Sequence, residues 1–103
     1  MITSSEKNII KNALKGIDYE KIILFGSRAR GDQRQDSDFD LMIIIKNDLS
    51  REEKMKLFSL INNLLIKEGI DSDILIRSNN QIEYFKNKAG SVTNEAIREG
   101  FII

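Results

Sequence analysis

The sequence predicts an α+β fold: a small mixed β-sheet of three or more strands, with helices packed mainly on one face. Two observations lead there. Short Ile-rich runs at 22–25, 41–45 and 74–76 are bounded by turn residues, as in strands covered on both faces. Longer stretches around them place apolar residues at helical spacing behind capping signatures. Such alternation would ordinarily favour a parallel sheet, but three strands are few for one, and the pattern does not fix strand directions.

Thr3-Ser4-Ser5-Glu6 has capping-box spacing, and Ile9, Ile10, Ala13 and Leu14 form a stripe ending near Gly16, which predicts a helix over about 5–15. A strand follows over about 20–25, then a turn at Gly26-Ser27, a polar loop over 31–37 and a second strand over about 38–46. Ser50-Arg51-Glu52-Glu53 is another capping box. Leu57, Phe58, Ile61, Leu64 and Leu65 then recur at helical spacing until Gly69, predicting the longest helix over about 51–68 with its stripe on the core. Residues 70–76 read as a third strand. Ser78–Gln81 caps a helix to about Lys88 anchored by Ile82, Tyr84 and Phe85, and after Ala89-Gly90 a last helix spans about 91–99. The tail Phe101-Ile102-Ile103 is apolar and must pack on its own core or on a partner.

The 103 residues fit one domain, 1–103, with no repeat, linker or low-complexity segment. Sixteen basic residues balance sixteen acidic ones, which argues against a general nucleic-acid binder. Cysteine is absent, so there is no disulfide framework and no thiolate chemistry. Histidine is absent too, which leaves carboxylates, Lys or Tyr as general bases. No apolar signal region opens the chain and no apolar run approaches membrane-spanning length, so a soluble cytoplasmic protein is expected.

The chemistry concentrates in residues 22–45. Gly26 lets the backbone approach a ligand or adopt positive φ, and Ser27 is a good helix N-cap with a hydroxyl. Amides at such a turn favour phosphate oxygens, and Arg28, Arg30 and Arg34 add positive charge. At the start of the next strand Asp38 and Asp40 share a face, opposite to Phe39 and Leu41, with Cα atoms roughly 7 Å apart. Two bare carboxylates at that separation repel by about 2.5 kcal/mol at an effective dielectric near 20. Protonation, a basic neighbour or bound Mg²⁺ must compensate, and only Mg²⁺ makes use of the adjacent phosphate cradle. Asp32 and Asp36 read most simply as turn residues, Tyr19 and Tyr84 as packing residues.

Gly26-Ser27, ten intervening residues and Asp38-x-Asp40 resemble the signature of the nucleotidyltransferase superfamily that includes DNA polymerase β. The fuller wording, Leu24-Phe25-Gly26-Ser27-Arg28-Ala29-Arg30-Gly31 and Asp36-Ser37-Asp38-Phe39-Asp40-Leu41, is similar to the minimal nucleotidyltransferase (MNT) domain. The likeness extends over nearly the whole chain, although Phe101-Ile102-Ile103 stands where such domains often end on an aromatic. It implies a polymerase β-like fold in which Gly26 and Ser27, with Arg28 beside them, hold the β and γ phosphates of a nucleoside triphosphate. Asp38, Asp40 and a third carboxylate would bind two Mg²⁺ ions and perform the catalysis. Asp73 is the expected third acid, because the apolar run behind it mirrors the one behind Asp40; Asp71, on the same face, is the alternative.

The implied reaction is attack of a hydroxyl on the α-phosphate, releasing pyrophosphate. The chain is too short to carry the acceptor-binding domain of larger relatives, so a partner or a homodimer is expected to supply it. The MNT resemblance implies an antitoxin that transfers AMP from ATP to a tyrosine of an HEPN-type RNase toxin. Two alternatives stand beside it: an antitoxin that masks the toxin by contact alone, and a homodimeric enzyme that modifies a small molecule such as an antibiotic. RNA is a poor acceptor for a neutral chain without a basic–aromatic platform, and no membrane contact is expected.

Overall fold

The computed structural model describes residues 2–103. The elements run α1 (Ser4–Ala13), β1 (Lys21–Phe25), α2 (Ser27–Arg30), β2 (Phe39–Ile45), α3 (Arg51–Lys67), β3 (Ser72–Ser78), α4 (Asn79–Phe85), α5 (Val92–Glu99) and β4 (Phe101–Ile102). All three expected capping boxes form. Thr3 pairs with Glu6, Ser50 with Glu53 and Ser78 with Gln81, each side chain accepting from or reaching back to the other residue's amide. Among the described residues no helix is long and apolar enough to cross a membrane.

The sheet is four-stranded and mixed, in the order β3-β2-β1-β4. β1 runs antiparallel to β2 and to β4, whereas β2 and β3 are parallel. The apolar tail therefore packs on its own sheet as a short edge strand: Ile23 pairs with Ile102, Leu24 with Phe101, and the Ile103 amide donates to the Ile22 carbonyl (3.0 Å). β3 begins and ends two residues later than the apolar run at 70–76 indicates, because its limits follow its pairing with β2, from Phe39↔Ser72 to Ile45↔Ser78.

Alternation along β2 divides the core. Phe39, Leu41, Ile43 and Ile45 face one side, where Ile10 of α1, Leu14 at its C-cap, and Ile61 and Leu65 of α3 close the larger cluster. Met42 and Ile44 face the other, where Ile23 and Ala96 complete a smaller cluster with Ile82 and Ile97 packed against it. The two long helices thus share one face, and the short helices α4 and α5 partly cover the second. Tyr84 departs from its expected packing role: its ring is 62% exposed and touches Phe85 edge-on. Where α5 ends, Gly100 lies so close to β1 that an added Cβ would stand 2.6 Å from both the Leu24 carbonyl oxygen and Ile23 Cγ2.

Candidate active site

The strand-to-helix turn takes a form that only glycine accommodates. Gly26 has φ 74° and ψ −156°, a region essentially closed to side-chain-bearing residues. A Cβ there would also lie 2.0 Å from Asp40 Oδ2 and 2.9 Å from its Cγ. Phe25↔Asp40 pairing across β1 and β2 sets this contact. The turn and the carboxylate are therefore one packed unit. Gly26, not Ser27, is the N-cap of α2; Ser27 is the first helical residue and its hydroxyl performs no capping. The Ala29 amide donates to the Gly26 carbonyl (3.1 Å), whereas the Ser27 and Arg28 amides have no partner within the helix, so this turn offers two N–H groups alongside the Ser27 hydroxyl.

Asp73 stands directly beside Asp40 in the parallel ladder, as the symmetry of the two apolar runs predicts. Asp40 is half-buried, whereas Asp38 and Asp73 are exposed. Burial raises the Asp40 carboxyl above its ordinary value; the charges of Asp73 and then Asp38 raise it further, and Arg30 opposes them. Asp38 and Asp73 thus both lie close enough to Asp40 for their charges to act on it. Asp71 is not among the charges acting on Asp40, and its carbonyl accepts the Phe39 amide (2.9 Å).

Arg28 is held on the far side of the sheet from the acids. Its guanidinium lies 4.1 Å from the centre of the Phe39 ring, on the sheet face opposite to Asp40. There it donates to the carbonyls of Ser37 (2.9 Å) and Gln35 (3.5 Å) and pairs with Glu6 (3.6 Å). Those contacts fix the loop that delivers Asp38, so Arg28 shapes the site from behind. Arg30 is the cation on the carboxylate side, held loosely by Asp32 (3.3 Å) and Glu99 (3.9 Å). The sequence does carry a signal for it, since Arg30 lies three residues beyond Ser27 and hence on the same side of one helical turn. Glu99 had no sequence signal, because α5 meets α2 only through the fold. Arg34 contributes an amide to the Ser37 hydroxyl (2.8 Å) and so belongs to the loop.

Among the described residues, no three His, Cys, Asp or Glu side chains gather tightly enough to hold a metal ion by themselves. The donor set nevertheless suits Mg²⁺, which prefers hard oxygens and is usually held by one or two carboxylates plus substrate phosphates rather than by an all-protein cage. Mutual repulsion at Asp40 is the cost that such a cation would relieve.

Residues 7–100 match the family described as polymerase beta, nucleotidyltransferase. A protein adenylyltransferase candidate of Methanocaldococcus jannaschii, MJ0604, is 32% identical over 97 residues, covering 93% of this chain and 88% of that one. A second from the same organism, MJ0141, is 37% identical over 51 residues, and there the match spans only about half of each chain (50% and 52%). A crystal structure of a toxin–antitoxin with AMP-PNP superimposes at TM-score 0.64 and 20% identity, covering 93% of this chain and 70% of that one. A mutant of the toxin–antitoxin MntA-HpeT superimposes at 0.62 and 18% identity, over the same shares of the two chains. At those identities the structural likeness establishes the fold, which is mixed α+β as the sequence predicts. With the family match over most of its length, the chain belongs to the polymerase β nucleotidyltransferases.

Proposed function

We propose that this protein is a Mg²⁺-dependent nucleotidyltransferase that moves AMP from ATP to a tyrosine hydroxyl of a partner HEPN-type RNase toxin, and so acts as its antitoxin in the cytoplasm. The observation that carries this reading is the contact of Gly26 with the Asp40 carboxylate, which joins an anion-binding turn to a repelling acid cluster. The name of a relative supports adenylyl transfer to a protein, and those of the structural neighbours support a toxin as partner.

The residues divide the work as follows. Gly26 and Ser27 hold the terminal phosphates through backbone N–H groups and the Ser27 hydroxyl, with Arg30 beside them. Asp38, Asp40 and Asp73 are the residues that would hold two Mg²⁺ ions, which would neutralise the triphosphate and make the acceptor hydroxyl easier to ionise. As the acceptor oxygen bonds to the α-phosphorus, the bond to pyrophosphate breaks and Asp73 takes the hydroxyl proton. Positioning and charge neutralisation supply most of the acceleration. Asp38 and Asp73 are exposed, so an acceptor can approach from outside. A protein partner also suits α3, where Met55 (62% exposed), Ile66 and Phe58, which the helical spacing had put on the core, leave an apolar stripe in solvent.

Incubating the chain with ATP, Mg²⁺ and its cognate toxin should add the mass of one AMP to the toxin. Asp38→Ala/Asp40→Ala should abolish the addition, and Asp73→Asn should slow it by about 10²–10³-fold. A toxin left unmodified by the wild-type protein would overturn the reading.

A further inference from the structure

The end of the sheet away from the carboxylates holds a second pocket. β2 and β3 are parallel neighbours, but beyond their C-terminal ends the chain departs to opposite faces: into α3 on the side of the larger core, into α4 on the other. Such a divergence opens a crevice beyond the strand ends, the usual place for a ligand in open sheets. Here the crevice is a cavity of about 480 Å³ lined by Ile45, Leu49, Ile76, Tyr84 and Phe85 together with Asp48, Lys54, Ser78, Asn80 and Gln81. Its size falls within the range of small-molecule sites. Ile45 stands five residues beyond Asp40 along β2, which puts the cavity about 17 Å from Asp40.

The side chains of Asp48, Ser78, Asn80 and Gln81 each have a hydrogen-bond partner within it, and among the described residues that of Lys54 does not. Asp48 accepts from the Ser78 hydroxyl on one oxygen and from Asn80 Nδ2 (3.0 Å) on the other. Gln81 and Ser78 complete the α4 capping box. Lys54 has neither an ion pair nor a side-chain hydrogen bond among the described residues, although it is half-buried. Burial and then the Arg77 charge both disfavour its ammonium form, and no carboxylate, Asp48 included, acts against them. Arg77 donates to Thr93 Oγ1 (3.0 Å) and the Ile76 carbonyl (2.9 Å), likewise without an acid. The cavity thus combines an apolar and aromatic wall with a cation that lacks a counter-ion.

The geometry points to a second binding site at the C-terminal ends of β2 and β3, for a small organic acid whose carboxylate pairs with Lys54 and whose apolar body rests on Leu49, Ile76, Tyr84 and Phe85. This site is independent of the nucleotidyltransferase reading and uses none of its residues.

Phenylacetate serves as the probe, followed through the backbone amide resonances of the ¹⁵N-labelled chain, with phenylacetamide and acetate as controls lacking the charge and the ring. Phenylacetate should give saturable shifts centred on Leu49, Lys54 and Tyr84 and leave the Gly26 and Asp40 resonances in place. Binding should weaken about tenfold for phenylacetamide and for Lys54→Gln, and Lys54→Arg should retain it. Acetate should bind more weakly than phenylacetate. Equal binding of phenylacetate and phenylacetamide, an unchanged Lys54→Gln titration, or no saturable shift up to about 20 mM would each overturn the assignment.

Discussion

Gly26 and Asp40 show how one residue can decide both stability and chemistry. Gly26→Ala would force a side chain into a glycine-only backbone region and onto a carboxylate oxygen, at a cost of about 2–4 kcal/mol in chemical denaturation and with loss of transfer. Asp40 carries a pH signature. Its raised pKa means that the unfolded chain ionises this group first as pH rises, so folding stability falls between the ordinary carboxylate range and the folded value. Without metal or nucleotide, Asp40→Asn should therefore melt above wild type near pH ~7 and level with it near pH ~3. The two arginines should separate cleanly. Arg28→Gln should cost about 1–2 kcal/mol of stability, since it frees the loop before Asp38, whereas Arg30→Gln should raise the KM for ATP about tenfold with little change in melting. The likeness of the apolar runs behind Asp40 and Asp73 anticipated their pairing across β2 and β3. The sequence did not indicate where Arg28 would lie, because a long flexible side chain is directed by tertiary partners, here Phe39, Ser37 and Glu6.

The helices were legible wherever a side chain speaks to its own backbone. Thr3, Ser50 and Ser78 begin helices through contacts three residues away, so the signal is wholly local. Strands depend on remote partners, and the reading weakened accordingly. β4 has two residues, too few to show alternation, and exists because Ile23 and Leu24 offer an open edge. β3 shifted by two residues because pairing with β2, rather than its apolar run, sets its limits. The junction between α5 and β4 is closely packed. Gly100→Ala should destabilise by about 1–3 kcal/mol in thermal or denaturant unfolding, because the new methyl would meet two carbonyl oxygens and Ile23. Since α5 also carries Glu99 toward Arg30, the same variant should lower the affinity for ATP slightly.

Across the whole molecule, the parallel pair β2–β3 sets the plan. Its N-terminal ends bring Asp40 and Asp73 side by side, and the antiparallel neighbour β1 delivers Gly26 against Asp40 from the other side. The α+β class followed from the small number of strands, against an alternation that would ordinarily favour a parallel sheet. The strand directions did not, because Ile-rich runs look alike in parallel and antiparallel sheets. Nor did the four-strand order, which rests on a crossover through α3 and on the return of the tail to β1. The central claim is that this arrangement captures a triphosphate through metal ions held by aspartates. Isothermal titration of AMP-PNP into the chain, with Mg²⁺ and then with EDTA, tests it most directly. The account predicts one nucleotide bound per chain with Mg²⁺, and none with EDTA or in Asp38→Ala/Asp40→Ala. Binding of equal strength in EDTA or in the double variant, or no binding by the wild type with Mg²⁺, would contradict it.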